Sequence, residues 1–188
     1  MRLKPEEIKK LATHCADILL KDKVVHVKIQ RQPLIEAMVS EWSEHFEEER
    51  KIDEKADALF AEQVKALPSV DRRKAMGLIK SQLSKESNFI LSGGNEGRFS
   101  QDKINFLAHL ADDKLYDDDL VDFKDEDEGL RYFKRLLNQY FQQENAIDEK
   151  VRKKIQSLSN APFEGSREWE VLFRKYREEE MRRMNHGE

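Results

Sequence analysis

Apolar residues recur at intervals of three and four along almost the whole chain, and that spacing commits the sequence to helices. Ile8, Leu11, Ala12, Cys15, Ile18 and Leu19 line one face of a first helix. Pro5 suits its first turn, where a missing N–H costs no helical bond. Leu34, Ile35, Met38, Val39, Trp42 and Phe46 form a second stripe, and Ile52, Ala56, Leu59, Phe60 and Leu67 a third. A fourth carries Ala75, Met76, Ile79 and Leu83, with Ser69 as its expected N-cap. Later stripes run Ile104 to Leu115, Leu130 to Phe141 and Ile147 to Leu158. Pro162 to Gly165 breaks the chain, and Ser166 caps a last helix bearing Trp169, Leu172, Phe173 and Tyr176. Only Lys23 to Ile29, a β-branched run of partly alternating character, departs from the helical period; it reads either as a short strand near residues 24–29 or as an extended link between helices.

Seven glycines and four prolines in 188 residues are too few for a loop-rich β fold. Charged residues make up 38%, well above the ordinary quarter, and apolar residues also 38%. Sixteen aromatics (ten Phe, four Tyr, two Trp) argue against disorder. The net charge of -4 does not mark the whole chain as a nucleic-acid binder. Acidity is concentrated between Asp112 and Glu128, where ten acids face only Lys114 and Lys124. A single cysteine, Cys15, forms no intramolecular disulfide and suits a reducing compartment. The N-terminus has no apolar signal core, and no stretch reaches the ~18 apolar residues of a membrane span. The expectation is a cytoplasmic protein that makes no membrane contact.

Ser92-Gly93-Gly94-Asn95-Glu96-Gly97 is the best candidate linker. After it the pattern restarts. At an offset of 96, Arg2, Ile8, Leu11, Ala12, Leu19, Asp22 and Val25 fall on Arg98, Ile104, Leu107, Ala108, Leu115, Asp118 and Val121. At an offset of 95, Ile52-Asp53-Glu54-Lys55 falls on Ile147-Asp148-Glu149-Lys150. The fold expected is therefore all-α, a tandem repeat of two related units with about four helices each. The units are residues 1–91 and 98–188, joined by a Gly-rich linker at 92–97.

Four segments carry a resemblance. They are Asp118 to Phe123, Ile147 to Ile155, Glu164 to Trp169, and Arg174-Lys175-Tyr176 followed by Glu178 to Met181. Together they resemble a bacterial family, the domain-of-unknown-function family 507, and Met1-Arg2-Leu3 is similar to that family's start. Short members match roughly residues 97–185, and long members carry a preceding related half. The first half lacks the Gly-Ser-x-x-Trp segment. The resemblance implies a helical bacterial protein and no established activity.

Several constellations invite a chemical reading. Asp117 to Glu128 sits between helices as a calcium loop does, but Val121 stands where an oxygen ligand is needed and Asp122 where the sharp turn needs Gly. The segment reads instead as a solvated loop with Val121 and Phe123 in the core, or as a docking patch for a basic partner. Lys150, Arg152, Lys153 and Lys154 cluster on one helix, and Arg174, Lys175, Arg177, Arg182 and Arg183 dot the last. Either a solvated face or a phosphate-binding surface accounts for them. None of the five histidines has a metal-ligand partner at a recognised spacing. His45 lies four residues from both Glu41 and Glu49, which an exposed, ion-paired helix face explains. Cys15 on an apolar stripe reads as a buried, inert thiol. Gly93 to Gly97 lacks the Gly-Lys-Ser/Thr ending of a phosphate loop and reads as a hinge. Trp42, Trp169, Phe173 and Tyr176 read as core, with Trp169 the binding anchor if one aromatic is exposed.

These readings predict a non-enzymatic interaction or adaptor module without cofactor or metal. The candidate contacts are Asp117, Asp118, Asp119, Asp122, Lys150, Arg152, Lys153, Lys154, Trp169, Arg174 and Arg177, facing an unidentified protein partner. The alternative is a nucleic-acid- or ribosome-associated factor using the basic C-terminal helices. Opposite charges on one chain also permit homo-oligomers.

Overall fold

The computed structural model describes residues 3–22, 25–64, 72–92, 99–123 and 126–186. Among these residues six helices and two short strands run in the order α1 (Pro5–Lys21), β1 (His26–Val27), α2 (Arg31–Val64), α3 (Arg72–Glu86), α4 (Gln101–Asp117), β2 (Val121–Asp122), α5 (Glu126–Gln156) and α6 (Arg167–His186). The protein is thus mainly helical, as the periodicity requires. The expected strand near 24–29 is β1, which pairs antiparallel with β2, His26 opposite Asp122 and Val27 opposite Val121.

The expected count of seven or eight helices is corrected by fusion. The second and third stripes lie on one helix, α2, and those from Leu130 and Ile147 lie on one helix, α5. Between Phe46 and Ile52 the chain has no breaker. There Arg50 pairs with Glu47 and Glu54, one turn away on either side, and so braces the backbone across the presumed gap. The strip Gln142 to Ala146 likewise consists mostly of good helix formers. The buried face stays continuous across each join, where His45 and Glu49 of α2 and Glu144 of α5 occupy it in place of apolar side chains.

The chain forms two compact units, Met1–Leu137 and Asn138–Glu188, with the boundary inside α5. Of the proposed linker, Gly93 to Gly97 lie outside the described residues, as does Ser69, while Ser92 is buried.

In the first unit α2 is the hub, packing against α1, α3 and α4. Its core joins Leu11, Cys15 and Leu19 of α1, Leu34, Met38 and Trp42 of α2, and Leu107, Ala111 and Leu115 of α4, all fully buried. Each buried leucine contributes about 2 kcal/mol by leaving water. The indole of Trp42 donates to the carbonyl of Leu107 at 3.0 Å, so the largest core side chain satisfies its polar atom on the neighbouring helix. The hydroxyl of Ser100 caps α4 by accepting the N–H of Lys103 at 3.2 Å.

In the second unit Ile147, Val151 and Ile155 of α5 form a buried row, and Trp169, Leu172, Phe173, Tyr176 and Met181 of α6 pack on it. The expected cap at Ser166 is present, its hydroxyl accepting the N–H of Trp169 at 3.2 Å. Gly165 precedes it at φ +87°, a conformation that side-chain-bearing residues rarely adopt.

Candidate functional site

The densest polar chemistry in the first unit is buried. Lys103 stands on the core face of α4, a turn before Leu107, and its side chain is 0% exposed. Its ammonium has three protons and finds three acceptors. These are Nε2 of His45 at 2.5 Å, Oε2 of Glu49 at 3.0 Å and the carbonyl of Ile90 at 2.6 Å. Glu49 in turn accepts the backbone N–H of Ser92 at 2.7 Å and its hydroxyl at 2.6 Å. His45 and Glu49 meet there because they are four residues apart on the buried side of α2. Accepting from a lysine ammonium requires Nε2 to be unprotonated, which puts the imidazole proton on Nδ1.

Aromatic rings seal the cluster. Phe89 stacks on His45, with centroids 4.5 Å apart and planes at 13°, and Phe106 lies 4.9 Å from the imidazole. The ammonium sits 4.8 Å from the ring of Phe89 and 5.3 Å from that of Phe46, so each ring face adds attraction for the cation. Burial, with the Lys103 charge second, pulls the imidazole of His45 down to about 4. Burial also lowers Lys103, against the pull of the Glu49 carboxylate. Separating the pair would leave an unmatched charge in an apolar setting, which typically costs about 3–5 kcal/mol. The arrangement therefore holds α2, α4 and the stretch 89–92 together. It also corrects the reading of His45 as part of an exposed, ion-paired face: the ring and Glu49 are both buried. Lys103, Ser92 and the pairing itself were missed, although the signal is in the sequence. Lys103 falls four residues before Leu107 and eight before Ala111, and Glu49 falls between Phe46 and Ile52, each on an apolar stripe.

The acidic candidates lie at the end of α4 and in β2. Asp117 is exposed, and Asp118 pairs with Lys114 at 2.9 Å. Asp119, at φ +54°, and Asp122 both grip Lys28, at 2.5 and 2.8 Å. Three of the four proposed partner contacts are thus answered by lysines of their own unit, and Val121 is buried as expected. Among the described residues no His, Cys, Asp and Glu cluster suited to a metal occurs.

The basic candidates in the second unit divide. Lys150 pairs with Glu180, Arg152 with Glu164 at 2.6 Å and Lys154 with Glu179 at 3.1 Å. Arg177 is half-buried and joins Glu144 to Asp148. The ammonium of Lys154 lies 4.1 Å from the ring centre of Tyr176. Lys153 and Arg174 are exposed and have no ion-pair partner among the described residues. Trp169 is half-buried and stacks on Phe173 at 4.8 Å, so it serves the core. Among the described residues of this unit the exposed aromatic is Phe163, at 86%. Cys15 is fully buried, and burial pushes its thiol up.

A helical protein with a buried ion cluster and surface charges paired in part within their own unit is the class these observations define. The family model for a protein of unknown function, DUF507, matches residues 1–185, and the chain belongs to that family. Comparison with curated proteins gives no match. Among the described residues no helix is long and apolar enough to cross a membrane.

Proposed function

We propose that this chain is a non-enzymatic, cytoplasmic protein-interaction module. The observation that carries the reading is the closure of the buried constellation around Lys103. Lysine, histidine, glutamate and serine in mutual contact resemble a catalytic set, yet every proton of Lys103 is already bonded inside the protein. A general base or nucleophile must reach a substrate atom, and a fully buried, saturated ammonium offers none. Recognition then belongs to the surface. Lys28 and Lys114 engage three of the four acidic candidates, which turns attention to the cations left over on α6.

We also propose that the chain is a tandem repeat. In support, α1 and α4 have the same length and begin and end 96 residues apart. Each leads into a two-residue strand and then a helix of more than thirty residues. Asp53 pairs with Lys80 of α3, and the offset-matched Asp148 with Arg177 of α6.

Affinity capture of the tagged chain, with and without nuclease, tests the function. A stoichiometric protein that survives nuclease supports the module. Partners that vanish with nuclease would establish the nucleic-acid alternative, and recovery of the bait alone would overturn both.

A further inference from the structure

We propose that the outward face of α6, with the turn before it, docks an acid-rich amphipathic helix of a partner protein. The inference rests on the interaction-module reading and names its surface and the chemistry of its partner. Arg167, Arg174, Lys175 and Arg182 are exposed and have no carboxylate partner among the described residues. By contrast, Lys150, Arg152, Lys154, Arg177 and Arg183 each hold a carboxylate of the same unit. At 100° per residue the four unpaired cations fall within about 100° of one another around the helix axis, and Val171 falls among them. Val171 is 62% exposed, and Phe163, in the turn that Gly165 allows, is 86% exposed. A row of unneutralised cations beside two exposed apolar side chains is the composition of a recognition surface, with aromatic and arginine side chains the usual anchors.

Charge complementarity selects the occupant. Arg167, Arg174 and Arg182 are spaced by seven and eight residues, so they recur every second turn over about 22 Å. A partner helix with acids at heptad spacing meets all three in register. Glu178 interrupts the row between Arg174 and Arg182, and Glu168 and Glu170 are exposed beside it. Nucleic acid or an anionic lipid surface presents unbroken negative charge and is repelled at those glutamates. A peptide can place a cation or a neutral residue opposite them. Phe163 and Val171 then take the partner's apolar stripe.

The test is site-specific photocrosslinking in cells from positions 163 and 171 of the full chain, with Glu48 of α2 as the control position. The mapped target segment is then synthesised as a peptide and titrated against the purified chain. The expected result is a protein crosslink, from 163 and 171 but not 48, to an acid-rich segment whose peptide binds. Phe163→Ala and Arg174→Glu should each weaken that binding by about 10-fold or more. Both should leave thermal unfolding unchanged, since both side chains are exposed. A peptide with the facing acid changed to arginine should recover binding to Arg174→Glu. Crosslinks to nuclease-sensitive or lipid material, no crosslink above the control, or variants that bind like the unaltered chain would each overturn the proposal. If nuclease-resistant capture persists in both variants, this surface fails while the module reading stands. If the unaltered chain captures nothing, both fail.

Discussion

His45, Glu49 and Lys103 form a charge arrangement that depends on one protonation state. The imidazole lies at about 4 in the fold, against an ordinary value of 6.5. The unfolded chain therefore binds a proton more readily than the fold between those values. The resulting stability is present above pH 6.5 and is lost as pH falls toward 4, by up to about 1.4 kcal/mol per pH unit. In His45→Gln an amide oxygen still accepts from Lys103 and the titration is gone. Urea unfolding at stepped pH should show a flatter acid slope for this variant, and an unchanged slope would assign the acid sensitivity elsewhere. Lys103→Met leaves the buried Glu49 carboxylate without its cation and should cost about 3–5 kcal/mol in urea unfolding at pH 7. Adding Glu49→Gln should recover part of that loss. Gly129 makes a steric prediction. A Cβ there would stand 2.2 Å from Oδ1 of Asp112 and 2.8 Å from the ring of Phe123, so Gly129→Ala should destabilise the first unit by about 1–3 kcal/mol despite its better helix propensity. A melting temperature at or above that of the unaltered chain would contradict this close approach of α4 and α5.

The helices differ in how firmly they are held. Among the described residues α3 has no buried side chain, and its Leu78 is 74% exposed, whereas α1 and α4 each bury six. Apolar burial resists local opening, so amides of α3 should exchange at least ~100-fold faster than those of α4 in native-state hydrogen exchange. Equal protection would show that α3 has support beyond its packing on α2. The same physics explains what the sequence disclosed. Stripes with period 3.6 located every helix, and Pro5 and Ser166 marked two helix starts, because capping chemistry is local. The continuity of α2 and α5 was hidden. A polar residue on the stripe looks like its end when the sequence does not reveal the partner that receives it, as Lys103 receives His45 and Glu49 and Arg177 receives Glu144. The buried cluster was hidden for a related reason. Histidine and glutamate four residues apart suit an exposed helix equally well until Lys103 arrives from a helix more than fifty residues on.

At the scale of the molecule the acidic segment and the basic helices read very differently from sequence and from structure. As strings they are complementary docking patches. Folded, Lys28 reaches Asp119 and Asp122 across the small sheet, and Lys150, Arg152, Lys154, Arg177 and Arg183 are taken up within the second unit. Ion pairing between residues distant in sequence cancels charge that composition can only count. What survives on the last helix is a row of four cations, with the exposed Phe163 in the turn before it. A buried cluster maintains the fold, and the outer face of α6 is the surface proposed for a partner. The most direct test compares Lys103→Met with an Arg167→Glu, Arg174→Glu double variant, measuring thermal unfolding and nuclease-treated capture on the same preparations. The account predicts that Lys103→Met melts lower yet still captures the partner below its melting temperature, while the double variant melts like the unaltered chain and captures none. Loss of capture in the still-folded Lys103→Met protein, with capture intact in the double variant, would contradict it and place function in the buried cluster.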